Sequence, residues 1–454
     1  MDRKLAALLS GYIAVGIALC FLYPDGSEQD GPTHFYFCRW AWKYPHFFIA
    51  PWPRPLFTVL YAFPAALGYL PAKMLSVFVT AAAAWQTVLA AMEMGLERPW
   101  LAAPILLVSP VLFLLSIETM TEPIFALLLA VALRLYYRGS LTAALVAASF
   151  FPTIRPEGFL LALLFAIATV RRQPFWKVLW LGTGCAACLA ASWIVTRDPM
   201  FLVKTWPWNS GKPNPVMNPF TQSLLGLATY PIVSPLIVGP LVLPFTILGI
   251  VRFVRERRWL PLALVFGSIL LYSSLTALNL FAANASLRYL APVVPALALM
   301  TAAGWRGRPL VPLAISAVFA VALVDLVPPS RDVFAFRDAL NGRRPAHLLA
   351  SKMTPYILLD HEPPPVSLRP SDREGNLELI RSQPPGTLVC QDVGWGWFFR
   401  RPPRGYGLTD EDYAAAGYRK VFSRDYDLRP RFPWPKALLD LGLYRRQRID
   451  LYEK

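Results

Sequence analysis

Ionisable side chains are costly at bilayer depth, so those that sit beside long apolar blocks are the first candidates for chemistry. Ser116-Ile-Glu118-Thr-Met-Thr-Glu122-Pro123 sets two carboxylates four residues apart, which puts them on one face of a continuous helix. Two such carboxylates repel unless a cation or a basic side chain joins them; as solvated loop charges they need neither. Phe151-Pro-Thr-Ile-Arg155-Pro-Glu157-Gly158 and Ser286-Leu-Arg288-Tyr289-Leu-Ala-Pro292-Val-Val-Pro295 each place an arginine just ahead of a helix start. Arginine stays charged and grips phosphate with two parallel hydrogen bonds, which is what binding a lipid phosphate at an interface requires. The same placement also suits simple snorkelling to headgroups. Asp30-Gly-Pro32-Thr-His34 puts an acid where a helix cap belongs, with proline early in the turn and histidine four residues on. Capping and chemistry remain two readings of Asp30.

The elements that must position these residues are membrane helices. Of the 454 residues, 56% are hydrophobic and 16% charged, against about 25% charged in soluble domains. A span needs roughly 20 apolar residues. The pattern predicts spans near Leu5 to Tyr23, Pro71 to Met94, Trp100 to Ser116, Thr121 to Tyr137, Leu141 to Phe151 and Glu157 to Val170. Others run near Phe175 to Val195, Pro231 to Val251, Trp259 to Leu280, Tyr289 to Gly304 and Leu310 to Val327, eleven in all. The proline-broken block from Arg54 to Leu70 reads as an interfacial or re-entrant helix. Arg3 and Lys4 ahead of the first apolar run resemble a signal peptide, but no small-residue cleavage site precedes Pro24, so an uncleaved span is expected. Cys185 and Cys188 form a C-x-x-C inside an apolar run with no histidine or carboxylate beside them, which reads as helix packing.

The net charge of +16 does not form the single basic stripe of a nucleic-acid binder. Lys and Arg concentrate in short cytoplasmic loops of membrane proteins. With the N-terminus inside, Arg98, Arg134 with Arg138, Arg171 with Arg172, Arg252 to Arg258, and Arg306 with Arg308 all fall on the inner side. Asp25, Glu28, Asp30, Glu118, Glu122, Glu157 and Asp198 then fall outside. A second outer loop, Thr196 to Tyr230, is rich in Pro, Asn and Trp, including Trp206, Trp208 and Asn214. The chain divides at residue 327: residues 1–327 form the membrane part, and 328–454 a small soluble α/β domain on the outer side. Strands are expected at Gly386 to Cys390, Arg419 to Phe422 and Arg448 to Tyr452, and helices at Asp410 to Ala416 and Pro435 to Leu441.

The order of these features resembles the GT-C glycosyltransferases, in particular the branch of protein O-mannosyltransferases and lipid A aminoarabinose transferases. The resemblance covers most of residues 1–327. The family's catalytic aspartate in the first outer loop is matched by Asp30, although Gly31 stands where the family commonly has glutamate. Its Lys-Pro-Pro-Leu is matched by Arg54-Pro55-Leu56, its acidic-Pro pair by Glu122-Pro123, its basic-Gly turn by Arg155 to Gly158, and its Tyr-x-x-Pro-x-x-Pro by Tyr289 to Pro295. The resemblance implies transfer of a sugar, with inversion, from a polyprenyl or dolichyl phosphate to a hydroxyl on a glycan, lipid or protein of the cell envelope. Asp30 would be the general base with His34 positioning it, and Arg54, Arg155 and Arg288 would hold the donor phosphate. Glu118 and Glu122 would orient the acceptor or hold a divalent cation, Mg or Mn, with Asp30 and Glu122 as further possible ligands. No nucleotide cofactor and no nucleic-acid partner are expected. A lipid transporter or flippase, or a membrane-anchored binding or assembly protein, are the alternatives.

Overall fold

The computed structural model describes residues 3–23, 30–205, 224–239, 241–278, 286–326, 329–350, 353–363, 368, 373–392, 408–427 and 446–454. Trp206, Trp208, Asn214, Asp25, Glu28 and the helix expected at Pro435 to Leu441 lie outside them. The chain is mostly helical and forms two compact units. The first comprises Met1–Leu22 and Phe37–Val321; the second comprises Tyr23–Tyr36 and Ala322–Lys454. The division therefore falls at Val321, inside a helix, where the sequence pattern places it after residue 327.

The first unit begins with α1 (Arg3–Leu22), followed by α2 (Asp30–Trp40), whose first turns belong to the second unit, then α3 (Pro55–Leu67) and α4 (Tyr69–Glu93). Next come α5 (Ala102–Leu107), α6 (Pro110–Ser116), α7 (Thr121–Tyr137), α8 (Leu141–Ser149), α9 (Phe151–Ile154) and α10 (Gly158–Val170). After these follow α11 (Gly182–Thr196), α12 (Phe201–Lys204), α13 (Leu224–Val233), α14 (Pro235–Val238), α15 (Leu243–Arg255), α16 (Trp259–Ala277), α17 (Val294–Gly304) and α18 (Leu310–Leu326). Among the described residues, five continuous helical stretches are long and apolar enough to cross a membrane: Arg3–Leu22, Tyr69–Glu93, Phe175–Thr196, Trp259–Ala277 and Leu287–Gly304. The number rises to seven when each of two bent pairs counts as one span. At 1.5 Å per residue, a helix of 20 residues spans about the thickness of the hydrocarbon layer.

Proline chemistry explains the bend in the first pair. Pro99–Leu107 and Pro110–Ser116 meet at 68°. Pro110 has no N–H to donate and drives the residue before it out of the helical region, and Ser109 indeed sits at φ −58, ψ 114. At the break Ser109 Oγ donates to the carbonyl of Ile237 in α14 at 2.7 Å. Helix α3 contains Pro64, and its outer residues Val59, Leu60, Phe63 and Leu67 are exposed, as an element lying against lipid requires.

Small residues set the closest helix crossings, as expected where lipid offers no hydrophobic drive for association. A Cβ on Gly249 of α15 would lie 1.8 Å from the Met300 carbonyl oxygen of α17, and one on Gly304 would lie 2.1 Å from the Phe245 carbonyl oxygen. Backbone touches backbone there, so no rotamer change can relieve the clash. Gly249→Ala is expected to destabilise the folded protein by about 1 to 3 kcal/mol, read as a lowered melting temperature in detergent; an unchanged melting temperature would mean that α15 and α17 do not cross this closely.

The second unit contains α19 (Pro329–Leu340), β1 (His347–Ala350), α20 (Thr354–Leu358), α21 (Arg373–Ser382), β2 (Thr387–Asp392), α22 (Asp410–Ala415), β3 (Arg419–Asp427) and β4 (Arg446–Glu453). The four strands form one sheet in the order β1-β2-β4-β3, parallel between β1 and β2 and antiparallel elsewhere. Three of them overlie the runs expected at Gly386, Arg419 and Arg448; β1 was not expected. Side chains alternate between the two faces. Leu348, Ala350, Leu388, Cys390, Ile449 and Leu451 pack with Phe336 of α19. Leu349, Val389 and Tyr452 turn the other way, to Ile380 of α21 and Tyr413 of α22. Helix α22 starts with a capping box, Thr409 and Asp412 exchanging side-chain and backbone bonds. Lys420 and Tyr452 hold the Asp410 carboxyl below the usual carboxylate range.

Candidate functional site

Arg155 is the centre of the most concentrated polar cluster in the first unit. Pro156 forces the residue before it into extended backbone, and Arg155 has φ −155, ψ 143 between α9 and α10. The chain then folds back so tightly that a Cβ on Gly158 would lie 2.3 Å from the Phe151 carbonyl carbon. This reversal points the guanidinium into the bundle. Its Nη1 donates to Glu122 Oε1 at 2.6 Å and to Thr121 Oγ1 at 3.1 Å, and its Nε donates to Glu157 Oε1. The side chains are nearly dry, at 10% exposure for Arg155, 0% for Glu122 and 9% for Glu157.

Tyr289 ties Arg288 into the same cluster. The Arg155 guanidinium lies 5.1 Å from the centre of the Tyr289 ring, the Arg288 guanidinium lies 5.0 Å from it, and Arg288 Nη2 donates to the Tyr289 hydroxyl at 3.2 Å. Behind it, Tyr272 stacks obliquely on Tyr289 at 5.2 Å and Tyr230 on Tyr272 at 5.5 Å. Two arginines thus meet at one phenol, and one of them, Arg155, carries two glutamates. Two of the three Arg155 nitrogens are engaged by carboxylates, and Nη2 is the one without a protein partner among the described residues.

Glu118 belongs to a different cluster. Residues 117–120 form a turn between α6 and α7, so the continuous helix that would have put Glu118 and Glu122 on one face does not exist. Glu118 is instead held from α4: Lys73 Nζ lies 3.5 Å from Oε1, Tyr69 donates to Oε2 at 3.2 Å, and Ser76 donates to the Glu118 backbone carbonyl. Each glutamate therefore has its own basic partner, which fits poorly with one cation shared between them. Among the described residues, no group of three or more His, Cys, Asp and Glu comes together to hold a metal ion.

Arg54 shares a cavity with Pro152 and Thr153, just ahead of Arg155. It precedes α3 in the left-handed region, at φ 72, and donates from Nη1 to the Pro51 carbonyl. With Pro51, Pro152, Phe159, Leu189 and Leu202 it lines an apolar cavity of about 340 Å³. Cys185 and Cys188 line the same cavity, Cys185 exposed and Cys188 partly so. Asp30 opens α2, and His34, which is buried, follows one turn later; both belong to the second unit.

The chain was compared with protein-family models, curated proteins and solved structures. None of them matches it.

The structure adds Lys73, Tyr69 and Tyr272, which reading the sequence overlooked, and brings Glu157 and Tyr289, to which that reading gave no role in the site, into the Arg155 cluster. Lys73 had a visible signal, a lone cation inside an apolar run. Tyr272 had none, because a tyrosine in a span most often packs.

Proposed function

We propose that the protein is a membrane glycosyltransferase that moves a sugar from a polyprenyl or dolichyl phosphate to a hydroxyl acceptor, with inversion. The observation that carries this reading is the cluster of buried Arg155, Glu122 and Tyr289 with half-buried Arg288 and Glu157 at breaks between apolar helices. Such a cluster is expensive to bury, and it leaves guanidinium hydrogen-bonding capacity for an anion at the lipid interface. The acceptor oxygen attacks the anomeric carbon as Asp30 takes its proton, and the bond from that carbon to the phosphate oxygen breaks with its electron pair going to the lipid phosphate. Arg155, Arg288 and Arg54 balance the charge developing on the departing phosphate. The motif order resembling the GT-C enzymes supports the same reading. With eleven crossings from an inside N-terminus, the acidic residues and the C-terminal α/β domain lie on the outer side.

One observation favours a lipid transporter instead: bent, broken helices such as α5 and α6 are common where transporters bind their cargo. A radiolabelled lipid-phosphate sugar supplied to proteoliposomes separates the two. Label appearing on an acceptor supports the transferase, while intact labelled lipid crossing the bilayer overturns it. In the same assay Arg288→Ala is expected to weaken donor use by about 1.5 to 3 kcal/mol, the scale of a charge-assisted hydrogen bond. Unchanged donor dependence would return Arg288 to a headgroup anchor.

A further inference from the structure

One buried cation takes no part in the mechanism above. Lys73 lies in the second turn of a possible span, α4, and is 0% exposed. A lysine in such a place is costly unless it is paired, and simple packing would be served better by an alkyl chain. Its partner Glu118 is equally buried, at 1%. Cys20 of α1 is a further titratable group facing this pair.

The contacts around the pair share a direction. Tyr69, Lys73, Ser76 and Thr80 recur at helical spacing and form one stripe along α4. Tyr69 and Lys73 take the two carboxylate oxygens of Glu118, and Ser76 takes its backbone carbonyl. Ser76 is itself fixed, its hydroxyl lying 2.7 Å from that of Tyr61 in α3, and Thr80 donates back to the Ser76 carbonyl at 2.9 Å. Three consecutive contacts from a rigid helix thus clamp the 117–120 turn. That turn leads directly into Thr121 and Glu122, which are the two groups that meet Arg155 Nη1.

We infer that Lys73 is a positioning residue: it keeps Glu118 ionised inside the apolar bundle and so fixes the turn that delivers Glu122 and Thr121 to Arg155. The chemistry is indirect. Lys73 touches no reacting atom; it sets the register of a carboxylate that does organise the phosphate-binding arginine. Its effect on transfer rests on the transferase reading, whereas its effect on the charge of Glu118 does not.

The test uses the full chain in lipid nanodiscs with three variants. Lys73→Met is expected to show a protonated-carboxyl band in the infrared at neutral pH that the unmodified protein lacks, and the band is expected to vanish in Lys73→Met combined with Glu118→Gln. Transfer from a polyprenyl-phosphate sugar is expected to fall roughly tenfold to a hundredfold, in kcat and not in the donor KM, with Lys73→Arg restoring most of it. A folded Lys73→Met without the band, or with full transfer, overturns the inference. If Lys73→Met fails to fold, the double variant decides, because a neutral pair removes the buried charge. Recovery of fold without transfer supports positioning, and recovery of both overturns it. A band in Lys73→Met together with no transfer by the unmodified protein would support the role of Lys73 toward Glu118 and remove the transferase reading.

Discussion

Asp30→Asn is expected to leave the protein folded and able to bind its lipid donor, while slowing sugar transfer by roughly 10² to 10⁴, the contribution of a general base. The substitution separates the two readings of this residue. Asp30 is the first residue of α2, and at a helix start Asn serves as well as Asp, so the loss of a cap is not what the variant reports. What is lost is the proton acceptor. Asp25→Asn is the control, since Asp25 follows the first apolar run directly and lacks the Pro-Thr-His turn that follows Asp30. The measurement is single-turnover transfer from a labelled lipid-phosphate sugar, with donor binding followed separately. Full activity in both variants would mean that the first outer loop supplies no base. Loss in Asp25→Asn alone would move the base within the loop.

The sequence pattern showed apolar helices because length and hydropathy are local properties, although only five to seven candidate spans stand among the described residues against the eleven expected, and it showed β2, β3, β4 and α22 because their apolar runs and cap are local too. It did not show where helices break. The block Trp100 to Ser116 read as one span, yet the structure bends it by 68° at Ser109-Pro110; a proline within an apolar run signals a break without giving its angle. The candidate site was legible in the same uneven way. Arg155 and Arg288 were singled out by their position before helix starts, and the structure does bring them together around Tyr289. The partners of the two glutamates were not legible, because a salt bridge between Lys73 and Glu118 spans 45 positions of sequence and depends on how α4 packs beside the 117–120 turn. The assumption of a continuous helix through Glu118 and Glu122 paired the wrong groups. Four residues of turn are enough to send two carboxylates to different cations.

The same partner assignment gives the second large effect. Arg155→Met would leave Glu122 and Glu157 buried without their shared cation, and breaking a buried pair by removing one partner typically costs about 3 to 5 kcal/mol. Most of that cost belongs to the stranded carboxylates and little to any intrinsic strength of the bridge. Arg155→Lys is expected to recover only part of the loss, because an ammonium is a point charge and cannot reach Glu122, Thr121 and Glu157 with a planar fork. Adding Glu122→Gln and Glu157→Gln to Arg155→Met is expected to restore most of the stability, since the three neutral side chains strand no charge. Thermal unfolding in one detergent, at fixed lipid content, reads all three proteins. A melting temperature for Arg155→Met equal to that of the unmodified chain would show that the cluster is hydrated in the membrane, and the argument for an expensive, retained anion site would lose its basis. If the triple variant is stable but uses no lipid-phosphate donor, stability and donor binding separate, and the charges are kept in the bundle for the phosphate.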